Sequence, residues 1–297
     1  MCWAAVCVFW GTTFLAIKIS LETIPPFLMG GARYVLAGVV LAGMVAARGR
    51  PLPDRADWGR LAAVGFFMMV LGNGGVVWGE QFVASGLTAV VLATSPFWMV
   101  TVNALMPGGE RLHARQAIGL VVGFLGILFL VWPEISLGGV QGKGFLRGLI
   151  ALQIACAGWA CGANYTRRHV MPHDVIGSAA LQMIFGGAMM CLIGLALGEW
   201  GRITLTTRTA ASWLYLGLAG SVIGFAALSY ALQHLPVAIV SLYNFVNPVI
   251  AVSLGMIVLG EPFHARMLAA AAVIVTGILI VGPASTPKKG EEAESVS

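Results

Sequence analysis

The chain has 297 residues, of which 59% are hydrophobic and only 10% are charged. A soluble domain usually carries about 25% charged residues, so this sequence has too little charge to cover a surface that faces water. Composition therefore excludes a soluble enzyme and a disordered chain, and it predicts an integral membrane protein.

The charged residues argue against a nucleic-acid-binding protein. The net charge of +5 comes from 17 Lys and Arg against 12 Asp and Glu. The cations stand in short segments between apolar stretches, as membrane orientation requires, and they are not clustered as a phosphate-binding surface would need. We therefore expect the lipid bilayer as a partner and no nucleic acid.

Apolar stretches of about 20 residues, the length needed to cross a bilayer as a helix, follow one another along the chain. The first has no basic segment before it and no A-x-A cleavage pattern, so we expect it to be kept as a span. The sequence predicts an all-α fold with ten transmembrane helices, at residues 2–20, 27–47, 60–79, 86–106, 115–132, 146–165, 175–197, 211–232, 237–259 and 265–282.

The Lys and Arg residues between these spans predict the orientation of the protein. With the N-terminus inside, ten of them lie in inner segments and five in outer segments, and the positive-inside rule favours this arrangement. We expect both termini to be cytoplasmic. The polar stretch 283–297 is expected to form a disordered cytoplasmic tail.

An internal repeat is the most informative feature of the sequence. Residues 109–115 (GERLHAR) match residues 260–266 (GEPFHAR), and a span with a central proline precedes each of them, with Pro96 in one and Pro248 in the other. Trp10 and Trp159 also correspond, and the offsets of all matches are 149 to 152 residues. Five spans per half is an odd number, so the second half must enter the membrane inverted. Two inverted five-helix repeats, at 1–135 and 136–282, are typical of a transporter with its site between the halves.

The residues in this order resemble the drug/metabolite transporter superfamily, in its ten-helix EamA-type branch. The matching pieces are the motif at residues 10–14 (WGTTF) with Lys18, Arg33 in the second span, the junction at residues 78–89 (WGEQFVASGLTA) running on to Pro96, and the Gly-Glu pairs at 109–110 and 260–261. The resemblance implies two five-helix halves around a central cavity and export of small metabolites such as amino acids. The second half has no Arg at the place of Arg33, where Gln182 is the nearest counterpart.

The two mid-span prolines, Pro96 and Pro248, are candidate hinges. A proline removes one helical hydrogen bond and clashes with the carbonyl four residues earlier, here those of Leu92 and Asn244. We expect a bend at each proline, with the freed carbonyls lining the substrate path.

Three charged residues lie in or near the predicted spans and are candidate functional residues, because charge within a bilayer is costly. Lys18 is expected to extend its side chain to the interface, Arg33 to face a cavity or bridge helices, and Glu80 to lie at the outer surface. Proton antiport through Glu80 and facilitated diffusion down the substrate gradient both remain open.

Polar and aromatic side chains deep in the spans are the candidate lining of the substrate cavity, since such sites are mostly apolar with a few placed hydrogen-bonding groups. These residues are Trp10, Asn73, Trp159, Tyr230, Tyr243, Asn244 and Asn247. Pairs of glycines four apart, at 119 and 123 and at 220 and 224, are expected to pack helices within one chain. We therefore expect a monomer or a weak homodimer.

The leading hypothesis is a secondary transporter in a bacterial inner membrane that exports small metabolites, such as amino acids, related compounds or drugs, by alternating access. The alternative is an importer or exchanger of a sugar or sugar-nucleotide. A membrane enzyme would need clustered acid, base or metal-binding groups, and a channel would need charge rings or a carbonyl filter. The sequence has no such pattern, so we expect no catalytic residue, no metal and no cofactor.

Overall fold

The computed structural model of the protein describes residues 2–109, 112–136, 140–169, 174–234 and 243–281. The regular elements in these ranges are all helical, and we number them α1 to α10. Their bounds are Cys2–Ser20 (α1), Pro26–Ala47 (α2), Arg55–Gly79 (α3), Ser85–Leu105 (α4), Ala114–Ser136 (α5), Val140–Arg168 (α6), Val175–Ala196 (α7), Thr207–His234 (α8), Tyr243–Leu259 (α9) and Ala265–Val281 (α10).

Seven of these helices are long and apolar enough to cross a membrane, and three shorter apolar helices lie within α5, α9 and α10. The prediction of an all-helical membrane fold is thus confirmed. Helix α6 begins at Val140, six residues before the predicted start of that span. The predicted stretch 237–242 and the predicted tail 283–297 lie outside the described residues.

The packing of the helices shows that the chain is built from two equivalent halves, α1–α5 and α6–α10. Helix α1 packs against α8 and α9 of the second half, and α6 packs against α3 and α4 of the first. The equivalent helices α2 and α7 pack on each other, as do α5 and α10. Each contact of a first-half helix with the second half thus has an equivalent contact in which the two halves are interchanged. A two-fold relation between the halves requires this pattern.

Close contacts at glycines show that the halves are inverted. A Cβ on Gly31 of α2 would lie 2.7 Å from the Gly187 carbonyl oxygen of α7, and one on Gly38, about two turns later, would meet the earlier residue Ala180. Helices α5 and α10 are also antiparallel, because Gly119 contacts Gly277 and the later residue Gly126 contacts the earlier residue Val273. Because equivalent helices are antiparallel, the second half enters the bundle upside down relative to the first.

The glycine pairs singled out in the sequence pack helices within the chain, as predicted. Gly119 lies against Gly277 of α10, and Gly123 lies against Phe97 of α4. In α8, Gly220 faces Thr13 and Gly224 faces Trp10, both on α1. A side chain at these positions would force the helices apart, so the glycines are explained without a second copy of the chain.

Matching helices of the two halves are interrupted in the middle of the bundle. Helix α3 contains a π-helical turn at Phe66–Asn73, and α8 contains one at Leu216–Ile223, 150 residues later. In each turn a polar side chain bonds the carbonyl five residues before it: Asn73 Nδ2 donates to Met68 at 3.0 Å and Ser221 Oγ to Leu216 at 3.0 Å. These side chains hold the widened turns.

The two ends of the bundle differ in the loops that they carry. We call the end at which α1 finishes the Ser20 end; it also carries the loops 80–84, 197–206 and 260–264. The opposite end, at which α2 finishes, is the Arg48 end. Helices α5 and α10 begin at opposite ends, since Arg115 Nε at the start of α5 donates to the Ile280 carbonyl at the close of α10 over 2.7 Å. His113 and His264, which precede these two helices, are therefore at opposite ends.

Candidate functional site

Three of the predicted cavity residues meet where α1 of the first half packs on α8 and α9 of the second. The rings of Trp10 and Tyr243 stack edge to face with centroids 5.1 Å apart. Trp10 Nε1 donates to the carbonyl of Gly220 in the α8 π-helical turn at 3.2 Å. The amide of buried Asn247 is assigned with its nitrogen toward α1, because in this orientation it donates to the carbonyls of Cys7 and Tyr243, each at 3.2 Å.

A corresponding contact is made by Trp159 and the π-helical turn of α3. Trp159 of α6 lies beside Gly72, where a Cβ would be 3.6 Å from its ring. Each half thus places a tryptophan of its first helix against the π-helical turn of the other half. These two places are related by the repeat, and both are contacts between the halves.

Two further hydrogen bonds, made by three hydroxyl groups, join the halves near Trp10, and sequence reasoning missed them. Thr12 Oγ1 of α1 and the Tyr215 hydroxyl of α8 are 2.5 Å apart. Ser212 Oγ, also in α8, donates to the carbonyl of Ala16 at 2.8 Å. Single hydroxyls in an apolar span carry no periodic signal, so only the packing identifies them.

The predicted cavity residue Tyr230 does not join this group. The Tyr230 side chain is 52% exposed, and its ring stacks on His234 at a centroid distance of 4.0 Å, near the end of α8. Asn244 belongs to α9, but its side chain lies outside the part of the chain that the structure describes.

The prolines break their helices differently. Pro248 lies inside α9, as predicted. Pro96, expected within a continuous bent helix, instead lies in the first turn of a second segment, Ser95–Leu105, which follows the segment Ser85–Leu92. The Leu92 carbonyl, expected to be free, accepts a hydrogen bond from Ser95 Oγ at 2.6 Å, so a neighbouring hydroxyl satisfies it.

The expectations for Lys18 and Glu80 need correction. The Lys18 ammonium does not extend freely to the interface: Nζ donates to the backbone carbonyls of Glu80 and, at 2.9 Å, Val83. The Glu80 side chain, expected at the surface, is completely buried. The loop that follows α3 is folded inward against α1, which buries a side chain that the hydropathy profile places at a span edge.

Arg33 is buried in α2, between the two π-helical turns. Its guanidinium Nη2 donates to the Tyr34 hydroxyl and to Asn73 Oδ1, the latter at 3.4 Å. The guanidinium carbon lies 4.5 Å from the centre of the Tyr34 ring. Arg33 therefore bridges α2 and α3, one of the two roles predicted for it.

Two glutamates of the second half cap helices of the first half at the Ser20 end. Glu199 Oε2 accepts from the Leu28 amide at 2.8 Å, at the start of α2. Glu261 accepts from the Ser85 amide at 2.8 Å and the Gly86 amide at 3.1 Å, at the start of α4. The sequence carries a signal for both, because each glutamate directly follows a glycine, Gly198 or Gly260. In the structure both glycines have positive φ and end a helix.

A crevice of about 210 Å³ opens beside Glu261 at the Ser20 end. Its walls are mostly apolar and come from α4, α5, α6, α9 and α10, and His264 and Arg266 also line it. Within the described ranges, no three His, Cys, Asp or Glu side chains are placed to hold a metal ion. The crevice therefore lies between helices of both halves.

A helical membrane protein of two inverted halves that meet at interrupted helices has the architecture of a transporter. Comparison with protein families agrees: the model described as the EamA-like transporter family matches residues 1–132 and again residues 146–282. The chain belongs to this family, within the drug/metabolite transporter superfamily. It is a multi-pass membrane transporter and not a member of an enzyme family.

Relatives among known proteins extend over nearly the whole chain. The chain is 31% identical over 282 residues to the Escherichia coli protein named uncharacterized inner membrane transporter YedA, covering 93% of this chain and 88% of that one. It is 26% identical over 287 residues to an Escherichia coli protein named probable amino-acid metabolite efflux pump, covering 93% and 91%. A solved crystal structure, with a TM-score of 0.65, 19% identity and coverage of 95% and 96%, shows the same fold.

Proposed function

We propose that the protein exports small metabolites, amino acids or related compounds, across a bacterial inner membrane by alternating access. The observation that carries the proposal is the placement of interrupted segments in matching helices of two inverted halves. Because helices flex where their regular hydrogen bonds are broken, the halves can rock about these segments. The substrate class is supported by the relatives that are named as probable amino-acid metabolite efflux pumps.

The substrate passes between the halves in this proposal, beside Trp10, Trp159, Tyr243 and Asn247. Asn73, in the α3 π-helical turn, lines the same interface. Pro248, the break before Pro96 and the two π-helical turns are the flexing points. One functional unit is a single chain, since the small residues that could form a dimer face are used within it.

The same proposal places both termini in the cytoplasm, so that the Ser20 end is periplasmic. The loop after α2 contains Arg48 and Arg50, and the first turns of α3 contain Arg55 and Arg60. These cations at the Arg48 end support this orientation under the positive-inside rule. An ion pair of 3.5 Å between Arg50 and Asp174 joins two loops that this orientation puts on the same side.

Transport of radiolabelled compounds tests the proposal. Everted inner-membrane vesicles containing the full chain are expected to take up members of a panel of amino acids and related metabolites faster than vesicles without it. Tyr243→Ala combined with Trp159→Ala is expected to reduce the rate at least about tenfold, because aromatic contacts to the substrate are lost. Ile257→Ala, on an 80% exposed side chain, serves as the control.

Uptake of sugars or nucleotide sugars without any uptake of amino acids would contradict the proposed substrate class. An unchanged rate in the double variant would contradict the proposed path.

A further inference from the structure

Buried polar atoms without a hydrogen-bond partner are concentrated on two charged residues. In the described ranges eight side-chain atoms are of this kind, and four of them are Arg33 Nε and Nη1 and Glu80 Oε1 and Oε2. Arg33 is 4% exposed and Glu80 is 0% exposed. A buried polar atom without a hydrogen-bond partner is unfavourable, and each one calls for an explanation in a native structure.

Arg33 has donors to spare in a central position. Of its five N–H bonds, those on Nε and Nη1 have no acceptor, while Nη2 is used by Tyr34 and Asn73. Its backbone carbonyl approaches Gly217 of the α8 π-helical turn, so the residue lies where the halves meet. The unused donors fit an anionic group, and the planar guanidinium matches the geometry of a carboxylate, the anionic group of an amino acid.

Glu80, in contrast to Arg33, has acceptor atoms that lack a donor. Neither carboxylate oxygen has a donor, although Lys18, Glu261 and Arg33 are close enough to act on the carboxyl electrostatically. Lys18 uses its ammonium on backbone carbonyls, and Glu261 accepts from the amides at the start of α4. The Glu80 oxygens therefore fit a cationic donor such as an ammonium group.

We infer that Arg33 and Glu80 form a two-charge site for the zwitterionic end of an α-amino acid. Arg33 binds the carboxylate, and Glu80 binds the ammonium group. A sugar would offer neither group a charged hydrogen-bond partner, and a simple amine or carboxylate would offer one to only one of them. The inference rests on the proposed function, because it names the substrate class and assigns it to residues of the same interface.

The site belongs to the first half alone. In α7 the nearest counterpart of Arg33 is Gln182, and the last segment of α8, Gly224–His234, contains no acidic residue. The two halves thus share a fold and differ in charge. Because only one half carries both charged residues, each chain binds one zwitterion in this proposal.

Binding to the purified full chain tests the site. The probes are L-leucine, L-threonine and L-phenylalanine, each compared with its methyl ester, which lacks the carboxylate, and its N-acetyl derivative, which lacks the ammonium group. The wild-type protein is expected to bind at least one of the amino acids, and to bind its two derivatives about 10- to 100-fold more weakly, as expected for loss of a charged hydrogen bond.

Two variants assign the groups. Arg33→Gln is expected to weaken binding of the amino acid about 10- to 100-fold and to leave binding of the methyl ester unchanged. Glu80→Gln is expected to do the same for the amino acid while sparing the N-acetyl derivative. Arg208→Gln, which removes an exposed charge at the Ser20 end, is the control and is expected to change nothing. Arg33→Lys replaces Arg33→Gln if the latter does not fold; it is expected to keep part of the affinity.

The ways in which the site can fail are distinguishable. Equal weakening toward all three forms of a probe would show a structural role for both residues and overturn the site. Amino-acid uptake by the vesicles together with unchanged discrimination in both variants would overturn the site and leave the proposed function standing. A wild-type protein that neither binds nor transports any of these amino acids would overturn both.

Discussion

Glu199 shows how a single residue can hold the two halves together. The residue is 2% exposed, and its carboxylate accepts from the amides of Phe27 and Leu28, at 3.4 and 2.8 Å. The first amides of a helix have no partner within it, and the helix dipole favours a negative charge there. Glu199 supplies both the acceptor and the charge from a different half of the chain.

We expect Glu199→Ala to lower the free energy of unfolding by about 1–3 kcal/mol, because the α2 amides lose a charged acceptor in a buried position. The midpoint of thermal unfolding of the purified protein measures this change.

Glu22→Ala is the matched control. Glu22 also lies at the Ser20 end, but it is 43% exposed and paired with Arg208 at 3.1 Å. Solvent screens such a pair, so we expect a change of less than about 1 kcal/mol. Equal effects of the two substitutions would show that the Glu199 cap contributes nothing beyond surface charge.

The charged residues also show what can be predicted residue by residue. That Lys18, Arg33 and Glu80 are exceptional could be predicted, because charge within apolar spans is rare. Their surroundings could not be, since the partners of Lys18 are carbonyls 62 and 65 residues away. Hydropathy locates a side chain along the membrane normal only, and it does not determine which helix covers it.

At the scale of helices, close contacts between backbones define the pairs α2–α7 and α5–α10. At Gly119 a Cβ would lie 2.6 Å from the Gly277 carbonyl oxygen and 2.8 Å from the Val281 amide nitrogen. Backbone atoms cannot move aside as a flexible side chain can. The contact therefore tolerates no side chain without separating the helices.

We expect Gly119→Ala to destabilise the protein by about 1–3 kcal/mol, the usual cost of overpacking a close contact. Thermal unfolding in detergent provides the measurement.

Gly43→Ala in α2 is the comparison, because a Cβ there would meet nothing within 4 Å. Alanine favours a helix over glycine, so this change is expected to be neutral or to stabilise by up to about 1 kcal/mol. If Gly119→Ala stabilised the protein in the same way, the packing of α5 on α10 would be wrong.

The π-helical turns belong to the same scale, and sequence reasoning missed them. Proline is a visible signal of a helix break, but Phe66–Asn73 and Leu216–Ile223 contain none. Their widened turns are held by Asn73 and Ser221 and are packed by tryptophans of the other half. In such a turn the backbone amides bond the carbonyl five residues earlier instead of four, and the packing of neighbouring helices decides between the two.

At the scale of the whole molecule, inversion of the halves has a direct consequence for accessibility. His113 and His264 occupy matching places in the repeat and lie at opposite ends of the bundle. Reagents that cannot cross a membrane should therefore reach them from opposite sides.

We expect His113→Cys to react with an impermeant maleimide in everted vesicles only, and His264→Cys in right-side-out cells only. The protein without an introduced cysteine measures the background from Cys161 and Cys191, which are partly buried in the helices. Labelling of both positions from one side would contradict the inverted arrangement; an exchange of the two sides would contradict only the proposed orientation.

The sequence by itself determined the class of fold, the ten helices and the two repeats. Apolar stretches in a membrane must satisfy every backbone group internally, so length and hydropathy are enough to predict helices. A repeat of five spans predicts inversion, because an odd number of crossings makes the second copy enter the membrane from the opposite side. The tertiary structure alone decided that Glu80 is buried, that Lys18 is held by carbonyls, that Pro96 starts a new segment and that Arg33 lies between two π-helical turns. Each of these depends on contacts between residues distant in the chain, and the local pattern of apolar and polar residues does not encode them.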